Sequence, residues 1–192
     1  MAKAPVILDL ETKWTFREFD DPKKLGVTVA AVYDYALDKG TVFTEPQLSS
    51  LFQILENSSY VVGYNIVSFD LQVLSAYYPG NISYLAAFDL LDDIKAKIGR
   101  RLALNDLIAA TLGKKKTGHG LQAVDLYKEG KIQELSQYCL ADVMLTKELF
   151  DFGIRTGEIY YLNEHGRRPI SVDWKKYLAD KGKSESYLTL PF

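Results

Sequence analysis

A chain of 192 residues, 47% hydrophobic and 25% charged, is long enough to bury a sizeable core and too apolar to be disordered. Its net charge of −2 argues against a surface that binds nucleic acid over its whole extent, and its single cysteine, Cys139, excludes an internal disulfide or a cysteine-based zinc site, so a metal would need oxygen ligands or one of the two histidines. No apolar run approaches the ~18 residues of a membrane span and no charged-then-apolar leader opens the chain, which gives the expectation of a cytoplasmic protein without membrane contact.

The first element is Val6-Ile7-Leu8-Asp9-Leu10-Glu11-Thr12. A continuous apolar run of this kind reads as a strand buried on both faces, and alternation along it points Asp9 and Glu11 to the same side. Two carboxylates so close repel each other unless a cation lies between them, and their hard oxygens suit Mg²⁺ or Mn²⁺. An isolated Asp-x-Glu is more often a solvated strand-end pair, so the rest of the chain must supply the remaining ligands. Trp14 and Phe16 follow in a loop, where core packing competes with base stacking as their role. Val27 to Leu37 is β-branched and aromatic, and Asp38-Lys39-Gly40 turns it into Thr41-Val42-Phe43-Thr44, which predicts a hairpin and three antiparallel strands in all.

Glu45-Pro46 opens a helix with Leu48, Leu51, Phe52 and Leu55 at helical spacing, and Asn57-Ser58-Ser59 stops it. Tyr60 to Asn65 reads as a buried strand. Ser68 is the candidate cap of a helix that starts at about Phe69-Asp70 and carries Leu71, Val73, Leu74 and Tyr77. Ala86 to Asp89 predicts a short strand, and Leu90–Ile98 and Leu104–Leu112 predict helices. Seven basic residues between Lys95 and Lys116 face one acid, Asp106, forming a basic patch in an acidic chain. The segment Gly113 to Gly120 within and after it lacks the spacing of a phosphate-binding P-loop. A short helix over Leu121–Lys128 and a longer one from Ile132 to about Phe150 follow. On the latter, Tyr138 and Asp142 are four apart and share a face that Leu145 and Leu149 continue, which places a carboxylate against the core, where it must be paired or metal-bound. Glu158 to Val172 predicts a hairpin, and the charged end from Lys175 is expected to fray.

Strands first, then strands alternating with helices, imply an α/β fold with a mixed central sheet, three antiparallel strands then parallel ones, flanked by helices. The first strand is expected at the centre, with the site at its carboxyl end beside Tyr60 to Asn65.

Asp9-x-Glu11 on a first strand, Asn65-x3-Phe69-Asp70 at a strand-to-helix junction and Tyr138-x3-Asp142 on a late helix, in that order, resemble the DEDD superfamily of 3′-to-5′ exonucleases. The tyrosine at that spacing resembles its DEDDy branch, and the chain is similar to stand-alone RNase H-like exonuclease domains of bacteria and archaea. The resemblance runs from about Pro5 to Phe150, with Phe88-Asp89-Leu90 and Leu112-Gly113-Lys114-Lys115 to His119-Gly120-Leu121 as further landmarks. It implies an RNase H-like domain over residues 1–152 with a C-terminal hairpin and tail, 153–192, appended to it. It also implies two divalent cations, Mg²⁺ or Mn²⁺: Asp9 bridging them, Glu11 and Asp142 completing the site that activates water, and Asp70 holding the second ion mainly through water. Tyr138 would position the attacking water. The branch that uses histidine for this task has it one residue farther from the last acid, where this chain has Gln137.

Under that reading Lys114, Lys115, Lys116, His119, Arg100 and Arg101 engage backbone phosphates, Asn65 touches the terminal nucleotide or caps the next helix, and Trp14 stacks on a base. Asp89 and Asp106 read as helix-start residues. The partner is single-stranded nucleic acid or its 3′ ends, DNA favoured. An endonuclease of the same fold and a non-catalytic nucleic-acid-binding module stay open as alternatives, whereas a calcium-binding loop lacks its ligand spacing.

Overall fold

The computed structural model describes residues 3–114 and 120–178. Its sheet has the order β3-β2-β1-β4-β5, built from β1 (Val6–Thr12), β2 (Val27–Asp34), β3 (Lys39–Thr44), β4 (Val61–Gly63) and β5 (Ala87–Asp89). The first three strands pair antiparallel, and β4 and β5 run parallel to β1, so the sheet is mixed and β1 is its centre, as an RNase H-like α/β fold requires. Helices α1 (Leu48–Asn57), α2 (Asp70–Leu74), α3 (Leu90–Ile98), α4 (Leu104–Leu112), α5 (Gly120–Lys128) and α6 (Ile132–Thr156) flank it, and β6 (Glu158–Asn163) with β7 (Gly166–Ser171) form a separate two-stranded sheet.

The pleat of β1 splits the core in two. Val6, Leu8 and Leu10 pack with Leu51, Leu55, Leu71 and Leu74 of α1 and α2, whereas Ile7 joins Cys139, Val143 and Leu149 of α6. Asp9 and Glu11 continue the Ile7 face by alternation, so both acids look toward α6. The register of β1 against β2 shifts between Glu11 and Thr12, which bends the strand just past the second acid.

Strand β4 stops at Gly63 rather than Asn65, because Asn65 adopts a left-handed backbone, φ 67°, that turns the chain out of the sheet. Gly63 is required there: a Cβ would lie 2.3 Å from Ile66 Cγ2 and 2.6 Å from the Leu8 carbonyl oxygen. Helix α2 starts at Asp70 with Phe69, not Ser68, as its N-cap residue, and no side chain caps it. The junction is held instead by two buried carboxylates, Asp89 accepting from the Asn65 and Val67 N–H groups and Asp70 tying α2 to β1.

The hairpin β6–β7 is present where expected. Ile159, Ile170, Val172 and Trp174 are buried in the same core as α6, and Trp174 stacks on Phe150 with ring centroids 5.8 Å apart. At Gly153 on α6 a Cβ would meet the Trp174 ring at 2.4 Å, so this glycine lets the indole lie flat on the helix. The expected fraying from Lys175 does not occur through Tyr177. Lys175–Tyr177 form a 3₁₀ turn because Tyr177 stacks on Phe88 at 3.6 Å between centroids, which ties the turn to β5.

Candidate functional site

The carboxyl end of β1, the β4–α2 junction and the middle of α6 bring three separated segments together. One carboxylate oxygen each of Asp9, Glu11 and Asp142 lies within 4.8 Å of the others. Asp9 and Glu11 are half-buried and Asp142 is buried. Tyr138, one helical turn before Asp142, is buried on the same side of α6, while Gln137 points to solvent. The tyrosine therefore faces the acids and the glutamine does not.

Asp70 lies outside that three-acid cluster but beside Asp9, against the backbone of β1. Only 3% exposed, it accepts the backbone N–H of Leu10 through Oδ1 at 3.1 Å. Burial first, and the neighbouring Asp9 carboxylate second, push its carboxyl well above the usual carboxylate range. Cys139 lies between Tyr138 and Asp142 in sequence and beside Asp9 in space: its thiol donates to the Asp9 carbonyl oxygen at 3.5 Å and sits 4.0 Å from Asp9 Oδ2. Burial first, and then the surrounding acids, push this thiol up, and it packs between α6 and β1. Oxygen donors of one hard class at this spacing fit a divalent cation such as Mg²⁺ or Mn²⁺; bringing them together without one costs mutual repulsion.

A shallow groove of about 220 Å³ reaches Glu11 and is lined further by Thr12, Trp14, Phe16, Phe69 and Val124 among others. Trp14 and Phe16 are 42% and 52% exposed, so core packing is not their role. Phe16 meets Phe69 edge to face, which gives the groove an aromatic wall.

Asn65 caps no helix. Its side-chain oxygen accepts from Arg101 Nη2 at 2.7 Å, and its backbone N–H donates to Asp89 Oδ1 at 2.8 Å. Asp89 caps α3 through the Leu91 N–H at 3.0 Å, as read from sequence, and in addition Oδ2 accepts the Val67 N–H at 3.0 Å. Burial raises the Asp89 pKa while these backbone donors oppose the rise. Sequence spacing gives no sign of the two long-range bonds; the asparagine at the end of a strand, tolerant of left-handed backbone, is the available hint. Asp106 sits exposed in the first turn of α4.

Of the basic residues, Arg100 and Arg101 are exposed on the connection between α3 and α4. Lys114 forms a surface ion pair with Glu148 of α6 at 2.5 Å. Lys115, Lys116 and His119 lie outside the described residues. None of the helices among the described residues is long and apolar enough to cross a membrane.

No protein-family model and no curated protein matches the sequence. Among solved structures, the family B DNA polymerase from the hyperthermophilic archaeon Pyrobaculum calidifontis aligns with a TM-score of 0.61 at 17% identity, over 80% of this chain and 25% of that one. Exonuclease I of E. coli aligns less well: its zinc-bound complex with single-stranded DNA gives 0.47 at 17% identity, over 80% of this chain and 41% of that one. A second complex of that enzyme, with a 5cy-dT13 oligonucleotide, gives 0.46 at 16% identity, over 81% and 41%. The chain thus spans a quarter of the polymerase it matches, and at this identity the likeness is one of fold.

Proposed function

We propose that this chain is a divalent-metal-dependent nuclease that removes nucleotides from the 3′ ends of single-stranded nucleic acid, with DNA ahead of RNA. The convergence of Asp9, Glu11 and Asp142 within 4.8 Å, from a central strand and a helix more than a hundred residues later, carries the reading. Three hard carboxylate oxygens at this spacing, two half-buried and one buried, make a ligand set suited to a divalent cation.

In this reading Asp9, Glu11 and Asp142 hold the cations, and Asp70 serves the second one from its buried position behind Leu10. Bound there, two divalent cations would lower the pKa of a water and offset charge on the leaving oxygen of a phosphodiester. Tyr138 orients that water from the turn before Asp142. Trp14 and Phe16 offer a stacking surface for a terminal base, and Asn65, held by Arg101, serves the terminal nucleotide. Lys114, Lys115, Lys116 and His119, with Arg100 and Arg101, engage the phosphates. The shared fold with part of a DNA polymerase agrees with a DNA substrate.

The test is incubation with Mg²⁺ or Mn²⁺ and a single-stranded oligonucleotide labelled at its 5′ end, beside a circular one, with Asp9→Ala and a chelator as controls. A ladder that shortens from the 3′ end, is absent on the circle and is abolished by both controls is the expected result. Cutting of the circle would make the protein an endonuclease, and no cutting of DNA or RNA would remove the catalytic reading.

A further inference from the structure

The connection between α3 and α4 reaches two places at once. Its Tyr64 anchor, a hydroxyl bonded to the Leu102 carbonyl oxygen at 2.7 Å, fixes it to the end of β4. From there Arg101 reaches Asn65 in the β4–α2 junction, while Arg100 lies over the ring of Tyr161 on β6, 5.5 Å from its centroid. Tyr161 is paired across the hairpin with Arg168 of β7, so the two side chains share one face. Asn65, Arg101, Arg100, Tyr161 and Arg168 therefore connect the β4–α2 junction, which also supplies Asp70, to the hairpin.

Arg100, Arg101 and Arg168 are all exposed, and among the described residues none of the three forms an ion pair. Arg167 differs, because its Nε donates to the Ala110 carbonyl oxygen at 2.8 Å and its head stacks on Tyr160, which commits it to fastening the hairpin on α4. Three aligned, unneutralised guanidinium groups in a chain of net charge −2 are complementary to a polyanion.

We propose that Arg101, Arg100 and Arg168 form a phosphate-binding track that carries the single strand away from the site and across the C-terminal hairpin. The proposal deepens the nuclease reading and rests on it for the identity of the strand. The hairpin then sets how much strand is gripped, and affinity rises with length until the track is covered.

Binding is measured by fluorescence anisotropy with oligodeoxythymidylates of about 4 and about 16 nucleotides, in chelator so that nothing is cut. The wild type binds the longer strand more tightly; Arg168→Gln loses about fivefold on it and lowers the slope of log affinity against log salt by about 0.7, and Arg168→Lys keeps the slope. Arg100→Gln is the second variant, and thermal melting confirms that each is folded. Wild-type affinity and slope in both Gln variants, an equal loss on both lengths, or a change in sedimentation without a change in binding each overturn the track. The 3′-end assay runs in parallel: length-dependent binding without cleavage by the wild type sinks the nuclease reading and leaves the track, while cleavage without length dependence sinks the track alone.

Discussion

Asp70 Oδ1 accepts the N–H of Leu10, the residue between the two acids of β1, at 3.1 Å. One buried carboxylate thus holds the backbone between Asp9 and Glu11, which share one face of β1, while itself standing beside Asp9. It positions the site and strains it electrostatically at the same time.

That strain has a sign. The folded-state pKa of Asp70 is raised, so the fold binds its proton more tightly than the unfolded chain does, and stability falls as pH rises from the ordinary aspartate range through the folded pKa. Asp70→Asn keeps the acceptor for Leu10 and removes the charge. In chelator it should raise Tm at neutral pH by about 3 °C or more, with a smaller gain at acidic pH, while activity is lost. Equal gains at both pH values would show that charge is not the cause.

Cation loading should relieve the same repulsion. At a Mn²⁺ concentration about 100 times its dissociation constant, linkage predicts ~2.7 kcal/mol of added stability, a rise of about 5 °C or more for a chain of this size. Asp9→Asn and Asp142→Asn should abolish most of that rise and melt no lower than the wild type in chelator. Differential scanning fluorimetry with and without Mn²⁺ reads both effects.

Much of this site is legible in sequence because it uses local rules. Alternation places Asp9 and Glu11 on one face, and a spacing of four places Tyr138 above Asp142 while Gln137 turns away. What the spacing cannot carry is pairing across the chain. Asp89 reads as a helix cap, and one of its bonds, to Leu91, is local; the two that hold Asn65 and Val67 join residues more than twenty apart. The contact of Cys139 with Asp9 likewise emerges only when α6 is laid against β1.

The two tryptophans differ in burial. Trp14 is exposed, and Trp14→Ala should cost less than about 0.5 kcal/mol of stability while weakening single-strand binding by about 1–3 kcal/mol. Trp174 is buried against Phe150 and Gly153, its Nε1 donating to Asp93 at 2.8 Å, and Trp174→Ala should cost ~3–5 kcal/mol. Oligonucleotide binding should quench the fluorescence of Trp14 alone, which a Trp14→Phe variant checks.

Asp89→Asn tests whether the β4–α2 junction is held for the site's benefit. An amide keeps one acceptor oxygen but presents N–H₂ where the second accepts, so either Val67 or the pair Asn65 and Leu91 loses its buried partner. The cost in stability should be about 1–3 kcal/mol, that of an unsatisfied buried donor. If the junction also aims Asn65 and Asp70, kcat should fall at a temperature well below the melting point, with the affinity for Mn²⁺ reduced less than in Asp70→Asn. A variant that melts earlier yet cuts at the wild-type rate while folded would make Asp89 a purely structural residue. Glu at this position distinguishes the two, since it keeps both oxygens but lengthens the arm: restored stability with activity still low would show that placement of the junction, and not its mere satisfaction, is what the site requires.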